Sequence, residues 1–404
     1  MDENTMIKEK HEYMLCHKCK YRLYKKNRTP EELNVRRKNV GEVCSICGDL
    51  LLHEEQILTL IREKIRKLGI EFETFTAACQ INDKEVLEVE RRIKTLTGIK
   101  SKDDMRKQVK RDVGVLIAKK LDKRIEFKNP DVIILIKINK KKGNYDYEVD
   151  NVNIFIDSHP IFIEGRYRKL VRGIPQTKWP CRNCKGKGCS KCNNTGKQYP
   201  TSVEELIANP LLKMTKADDE KFHGSGREDI DVLMLGTGRP FIIEAKHPFK
   251  RNINLKLLRR LINSHSEGKV EVEDLKFTTK TRIQEIKNSS TESYKVYKAT
   301  AQFNDKITDE DIDKIQNMKT IKQRTPQRVE HRRADIIRKR RIDRIEAQQL
   351  NPRKLELTIK CQGGLYIKEL ISGDNGRSIP SINSITNKKA QCSKLDVIEV
   401  HIPD

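Results

Sequence analysis

Eight of the eleven cysteines fall into four CxxC pairs, and this spacing constrains the chain more than any other feature. The pairs are Cys16/Cys19, Cys44/Cys47, Cys181/Cys184 and Cys189/Cys192. A two-residue gap lets both sulfurs face one ion, so in a cytosolic chain the pattern points to thiolate metal ligation over disulfides. "CHKC" and "CSIC" have 24 residues between them, and each follows a short apolar stretch, as knuckle turns do. "CRNCKGKGCSKC" packs its four thiols into 12 residues, where glycines permit the tight turns. Four thiolates leave no coordination position for water, so both sites are expected to be structural, with zinc the default metal. Cys79, Cys361 and Cys392 stand alone and read as buried, non-ligating thiols.

Charge narrows the partner. Lys plus Arg number 83 against 58 Asp plus Glu, a net charge of +25. Solubility needs a net charge of only roughly 2 to 8 in a small domain, so the excess points to a polyanion, and nucleic acid is the first choice. The start "MDENTMIKEKHEY" lacks the basic-then-apolar build of a signal peptide, and no run of 18 or more apolar residues occurs. A cytoplasmic protein with no membrane partner is expected, acting as a monomer. At 404 residues, two or three domains are expected.

Periodicity supplies the layout. "EEQILTLIREKIRK" (54–67) and "KEVLEVERRIKTLT" (84–97) carry apolar positions at helical spacing. Ser101 and Asp104 predict a capping box opening a helix through residue 123. "NPDVIILIKINK" reads as a strand, "KKKGNYDYEV" as a turn leading to "NVNIFI", and the whole as a small α+β module. From residue 158 the chain turns basic and Pro/Gly-marked, which places a boundary there: an accessory domain at 1–158 and a second domain at 159–404 carrying the Cys-rich insertion at 181–192. Ser202 and Glu205 cap a further helix.

The stretch "GREDIDVLMLGTGRPFIIEAK" (226–246) holds the clearest chemistry. "DIDVLML" reads as a strand, "GTG" as a turn and "RPFIIEAK" as the returning strand of a hairpin, with Asp229 and Asp231 on one face. Asp231, Glu244 and Lys246 then match a short D…ExK pattern, in which carboxylates hold magnesium and the lysine polarises the attacking water; a magnesium-dependent nuclease is the alternative reading. A hairpin with a merely solvated ionic face is the plain one. "IKQRTPQRVEHRRADIIRKRRIDRIEA" adds Arg324, Arg328, Arg332 and Arg333 to a cationic run that few acids interrupt, suited to a strand pair lying along a phosphate backbone. Aromatics at 5% disfavour a many-base stacking groove and suit a folded RNA read by shape.

Beyond residue chemistry, "GREDIDVLMLGTGRPF" resembles the catalytic motif of pseudouridine synthases, with the match at Arg227-Glu228-Asp229. It is similar in particular to the archaeal-type tRNA synthases acting at tRNA positions 54 and 55. The resemblance extends over "YRKLVRGIPQTKWPC", the cysteine knuckle, "SYKVYKA", "QRTPQRVEHRRAD" and "CQGGLYIKELISGDNGRSIPS", in the family's order through most of residues 160 to 385. It implies an α+β fold: a catalytic domain on a central mixed or antiparallel sheet, preceded by a zinc-bearing α/β accessory domain with a THUMP-like RNA-binding module. It also implies an isomerase of tRNA uridine, at position 54, 55 or both, that needs no catalytic cofactor. Asp229 would supply the carboxylate, as nucleophile or as base. Lys368 matches the family's basic residue after "Tyr-Ile", where arginine is commoner. Tyr297 matches the tyrosine that stacks on the target base, Ile367 the apolar pocket residue, and Arg227 is placed to occupy the vacated position in the RNA. Asp231 is left a structural role.

Overall fold

The computed structural model describes residues 13–24, 35–37, 39–81, 84–97, 103–139, 151–288 and 293–402. The chain forms two compact units: Met1–Pro160 with His247–Arg251, and Ile161–Lys246 with Asn252–Asp404. Among the described residues no helix is long and apolar enough to cross a membrane.

The first unit begins with β1 (Tyr13–Leu15), α1 (His17–Tyr24) and β2 (Val35–Arg37), the two strands pairing in parallel. There follow α2 (Glu54–Leu68), β3 (Thr74–Ile81), α3 (Lys84–Thr97), α4 (Met105–Leu121), β4 (Arg124–Ile125), β5 (Val132–Ile138) and β6 (Val152–Ser158). Helix α2 forms where the periodicity predicts it: Glu54 and Glu55 open it, Arg66 and Lys67 close it, Ile57, Leu58 and Ile61 are buried, and Gly69 stops it at φ 61°. Helix α4 starts later than the capping box predicts. Its cap is Asp104, which accepts from the Lys107 backbone N–H at 3.0 Å, while Ser101 and the 140–149 turn lie outside the described residues. The sheet runs β4-β3-β5-β6, parallel except at β5–β6. Cys16, Cys19, Cys44 and Cys47 sit in the same buried core as Leu15, Ile46, Leu50 and Phe75.

The second unit contains β7 (Ile161–Lys169), α5 (Val203–Thr215), β8 (Asp219–Gly224), β9 (Leu233–Lys246), α6 (Leu255–His265), β10 (Val270–Thr278), α7 (Lys280–Asn288), β11 (Tyr294–Phe303) and α8 (Asp309–Gln316). It ends with β12 (Thr320–Arg324), β13 (Ile337–Asn351), β14 (Lys354–Gln362), α9 (Ile367–Ser372), β15 (Ser378–Ile379), α10 (Ile382–Thr386) and β16 (Ala390–His401). Helix α5 is capped by Ser202, as predicted, with its Oγ accepting from the Glu205 N–H at 3.2 Å. One ten-stranded sheet runs β10-β7-β9-β16-β11-β14-β13-β12-β15, with β8 also on β9. It is mixed, since only β9 and β16 run parallel.

The expected hairpin at 229–246 is not formed. Residues 233–246 make one continuous strand, and "GTG" is a bulge within it. Opposite β7 the pairing passes from Tyr167↔Arg239 to Lys169↔Met234, so β9 carries three extra residues there. Gly236 (φ 54°) and Gly238 (φ 70°) supply left-handed backbone, and a Cβ at Gly236 would run into the Ile398 carbonyl of β16. The glycines thus serve close strand passage and not chain reversal. Asp229 and Asp231 consequently leave the sheet and stand in the loop before it, where the Val232 N–H donates to the Asp229 carbonyl at 3.1 Å.

Candidate active site

The loop 225–232 joins β8 to β9 and rests on a buried polar network. Lys169 ends β7 on its inward face, beside Ile161, Ile163 and Tyr167. Its Nζ donates to the carbonyls of Asp229 (3.0 Å), Ile174 (3.1 Å) and Ile230 (3.3 Å). Burial pulls this ammonium down to about 8 against the attraction of Glu228. Glu228 points into the core: it pairs with Arg239 Nε at 2.9 Å and accepts the Tyr167 hydroxyl at 2.9 Å from each oxygen. Arg239 Nη1 donates to the Ser225 carbonyl at 2.8 Å, and Gln176 Nε2 donates to Tyr167 Oη at 2.8 Å and to the Gly226 carbonyl at 3.0 Å. With residue 228 turned inward and the loop's carbonyls tied down, the Asp229 side chain is presented outward.

Two cations meet it there. Arg328 Nη1 donates to both Asp229 oxygens, at 3.0 and 2.8 Å, while its Nε holds buried Glu369 at 2.6 Å. Lys368 Nζ lies 3.4 Å from Asp229 and 2.8 Å from Asp231. Burial raises the Asp231 acid, but the bond and charge of Lys368 outweigh it and hold that carboxyl below the usual range. The two carboxylates of Asp229 and Glu369 hold the Arg328 guanidinium above its ordinary value despite burial. Asp229 is thereby oriented by a guanidinium that is itself oriented from behind, and its side chain keeps 27% of its surface exposed.

A cavity of about 520 Å³ opens in front of the carboxylate, lined among others by Arg227, Tyr297, Arg328, Ile367 and Lys368. The volume lies within the span usual for small-molecule sites. Tyr297 comes from β11 and is half-buried, with its phenol raised by burial and so neutral. Ile367, 3% exposed, opens α9. Arg227 lays its guanidinium over the Trp179 ring at 5.2 Å. Residues 227, 229, 297, 367 and 368, singled out from the sequence in distant segments, thus line one cavity.

The cationic run divides. β12 and β13 pair antiparallel with Arg324 opposite Ile337, and residues 327–332 form a short 3-10 helix between them. Arg324 pairs with Asp335 at 2.5 Å, Arg341 with Asp343 at 2.6 Å and Arg344 with Glu346 at 2.7 Å, and Arg377 reaches Glu330. The few acids in this run therefore oppose much of its charge: Asp343 and Glu346 stand two residues beyond their arginines, and the turn brings Asp335 back to Arg324. Arg328 is turned to Asp229, Arg333 lines the cavity, and the Arg332 side chain lies outside the described residues. The nuclease constellation is not assembled. Lys246 pairs with Asp219 at 2.6 Å, Glu244 lies 3.3 Å from His223, and Asp231 is held by Lys368.

Each cysteine quartet converges. Within Cys16, Cys19, Cys44 and Cys47, and within Cys181, Cys184, Cys189 and Cys192, the sulfurs all lie within 4.8 Å of one another. The Cys16–Cys47, Cys189–Cys192 and Cys184–Cys192 Sγ separations are 3.7, 3.7 and 3.8 Å. A tetrahedron with zinc–sulfur arms of about 2.3 Å has edges of roughly 3.8 Å, so both donor sets fit that ion. Of the isolated thiols Cys361 is buried, whereas Cys79 and Cys392 are only partly so.

The sequence reading missed Lys169, Arg239, Glu369 and the role of Arg328. One signal was present: in "IFIEGRYRK" strict alternation places Lys169 on the apolar face of β7.

Two family models and several named relatives match the chain. A family model described as "Pus10, C-terminal" covers residues 162–401, and one described as "Pus10 THUMP domain, archaeal" covers residues 61–137. A protein of Methanosphaera stadtmanae named tRNA pseudouridine synthase Pus10 is 56% identical over 394 residues, spanning 97% of this chain and 97% of that one. The protein of the same name from Methanothermobacter marburgensis is 46% identical over 360 residues, covering 89% and 86%.

Proposed function

The chain belongs to the Pus10 family of tRNA pseudouridine synthases, and from that premise we propose that Asp229 is the carboxylate with which it isomerises a T-loop uridine, at tRNA position 54, 55 or both. The reaction breaks the bond between ribose C1′ and uracil N1, turns the base, joins C5 to C1′, gives up the C5 proton to solvent and takes one proton onto N1, so that the product is an isomer. No electron or phosphate is transferred. Asp229 acts at the ribose as nucleophile or as base, and both roles require it ionised. Arg328 at 2.8 Å and Lys368 at 3.4 Å set two cations against its carboxylate. The observation that carries the reading is Asp229 bonded through both oxygens to a guanidinium anchored on Glu369, at the mouth of a cavity walled by Tyr297 and Ile367.

Uridine in a folded tRNA must leave its stack, at a cost of a few kcal/mol. A ring at Tyr297 offsets about 1 to 3 kcal/mol of this by stacking. Arg227 reaches into the vacated place. The first unit, with its archaeal THUMP match, contributes to tRNA binding, and the net charge of +25 supports a phosphate-following interface. The test uses tRNA tritiated at uridine C5, with no metal added. Tritium release and a pseudouridine mapped at position 54 or 55 are expected; full retention of label by folded protein overturns the reading.

We assign one structural zinc to each quartet, where it supplies a fourfold cross-link and no chemistry to the reaction. Metal analysis is expected to find two zinc ions per chain. A chelator should strip the half-exposed quartet at 181–192 first, while loss from the buried quartet should unfold the first unit, because structural zinc contributes about 10 to 16 kcal/mol to such folds. Simultaneous release without unfolding contradicts this order.

A further inference from the structure

A second cavity, of about 380 Å³, opens beside the first and shares Arg227, Tyr297, Arg333, Arg338, Leu365 and Tyr366 with it. Its lining includes six cations, Arg227, Lys287, Lys295, Arg333, Arg338 and Arg340, and no carboxylate among the described residues. Such a concentration of one sign is costly unless an anion enters. By contrast Arg324, Arg328, Arg341 and Arg377 each hold an acid. Here Arg338 donates only to Thr325 Oγ1 and the Ile336 carbonyl, and the buried Nε of Arg340 has no hydrogen-bond partner. Lys295 extends from β11 two residues before Tyr297, so the floor of this cavity and the wall of the uridine pocket belong to one strand. Burial, with the neighbouring Arg239, pushes its ammonium down to about 7. The backbone is shaped for close approach. Gly226 has φ 83°, and a Cβ there would lie 2.9 Å from Lys295 Nζ; Gly364 has φ 86° and packs on the Arg340 guanidinium.

We propose that this second cavity seats a phosphodiester of the substrate RNA immediately flanking the target uridine, with Lys295, Arg338 and Arg340 as its ligands, and so sets which nucleotide reaches Asp229. The inference rests on the isomerase reading above. A backbone phosphate is favoured over a free anion because the cavity opens off the uridine pocket itself, where the target's own phosphates must pass. Lys295 is a positioning residue: it fixes the backbone and does not touch the reacting atoms.

The test is a cycle between protein and RNA. tRNA carrying a single uncharged methylphosphonate on the 5′ or the 3′ side of the target uridine is compared with all-phosphate tRNA, using native protein, Lys295→Met and Lys295→Arg. With native protein, one of the two positions is expected to lower kcat/KM about tenfold. Lys295→Met should lower it by a similar factor on all-phosphate tRNA, lose nothing further on the modified RNA, and reduce the salt slope of binding by about 1. Lys295→Arg should restore sensitivity to the uncharged linkage. The proposal is overturned if native protein tolerates both methylphosphonates, as it would if the cavity took a free anion, or if the losses multiply. Native protein that leaves unmodified tRNA unchanged sinks the parent reading and this one with it.

Discussion

Asp229→Asn is expected to lower kcat/KM for tritium release from C5-labelled tRNA by about 10⁴-fold or more, with tRNA affinity and unfolding transition nearly unchanged. The asparagine fits the same space but carries no charge, so it serves neither as nucleophile nor as base. The surroundings tolerate the loss because each cation has a second acid: Arg328 keeps Glu369 at 2.6 Å, and Lys368 keeps Asp231 at 2.8 Å. A structural role for Asp229 predicts the opposite, namely a shifted transition with activity retained in the folded fraction. Activity within tenfold of the native protein would remove Asp229 from the chemistry.

Glu228→Gln should be the most destabilising single change near the loop, by about 3 to 5 kcal/mol. Arg239 is 1% exposed and Glu228 5%, so removal of the carboxylate leaves a guanidinium charged in the core, and the Tyr167 hydroxyl loses an ionised acceptor. The single tryptophan, Trp179, stacks under Arg227 of the same loop and reports on this unit, so denaturant unfolding followed by its fluorescence measures the effect. Replacing both partners, Glu228→Met with Arg239→Met, should recover part of the stability, since no unpaired charge then remains. The double variant should still be slow, because Arg239 no longer holds the Ser225 carbonyl. A single-variant change below about 1 kcal/mol would show that the buried pair is not what supports the loop.

What was legible in the sequence was local or carried by motif. Helix α2 and helix α5 begin and end where apolar period, acidic first turns and caps place them. The CxxC pairs followed from spacing, and the structure gathers them into two quartets of converging sulfurs. Asp229 followed from resemblance to a catalytic motif and not from its own surroundings. The hairpin reading failed because glycine marks both a chain reversal and a close strand passage, and only the presence of β16 beside Gly236 tells them apart. Lys169 was legible in part, as a lysine on the apolar face of a strand, but its role appeared only with the three carbonyls above it.

The pairing of charges lay beyond sequence reading. Arg328 stands 99 residues from Asp229 and 41 from Glu369, inside a run of arginines that look alike on paper. Local pattern alone therefore determined helices, some of the strands and the cysteine spacing, because each depends on neighbours a few residues away. Tertiary structure alone decided which cation holds the carboxylate, that Asp335 returns to Arg324, and where six cations line a cavity with no carboxylate among the described residues. Electrostatic energy depends on distance in space and on exclusion of water, and the folded sheet sets both.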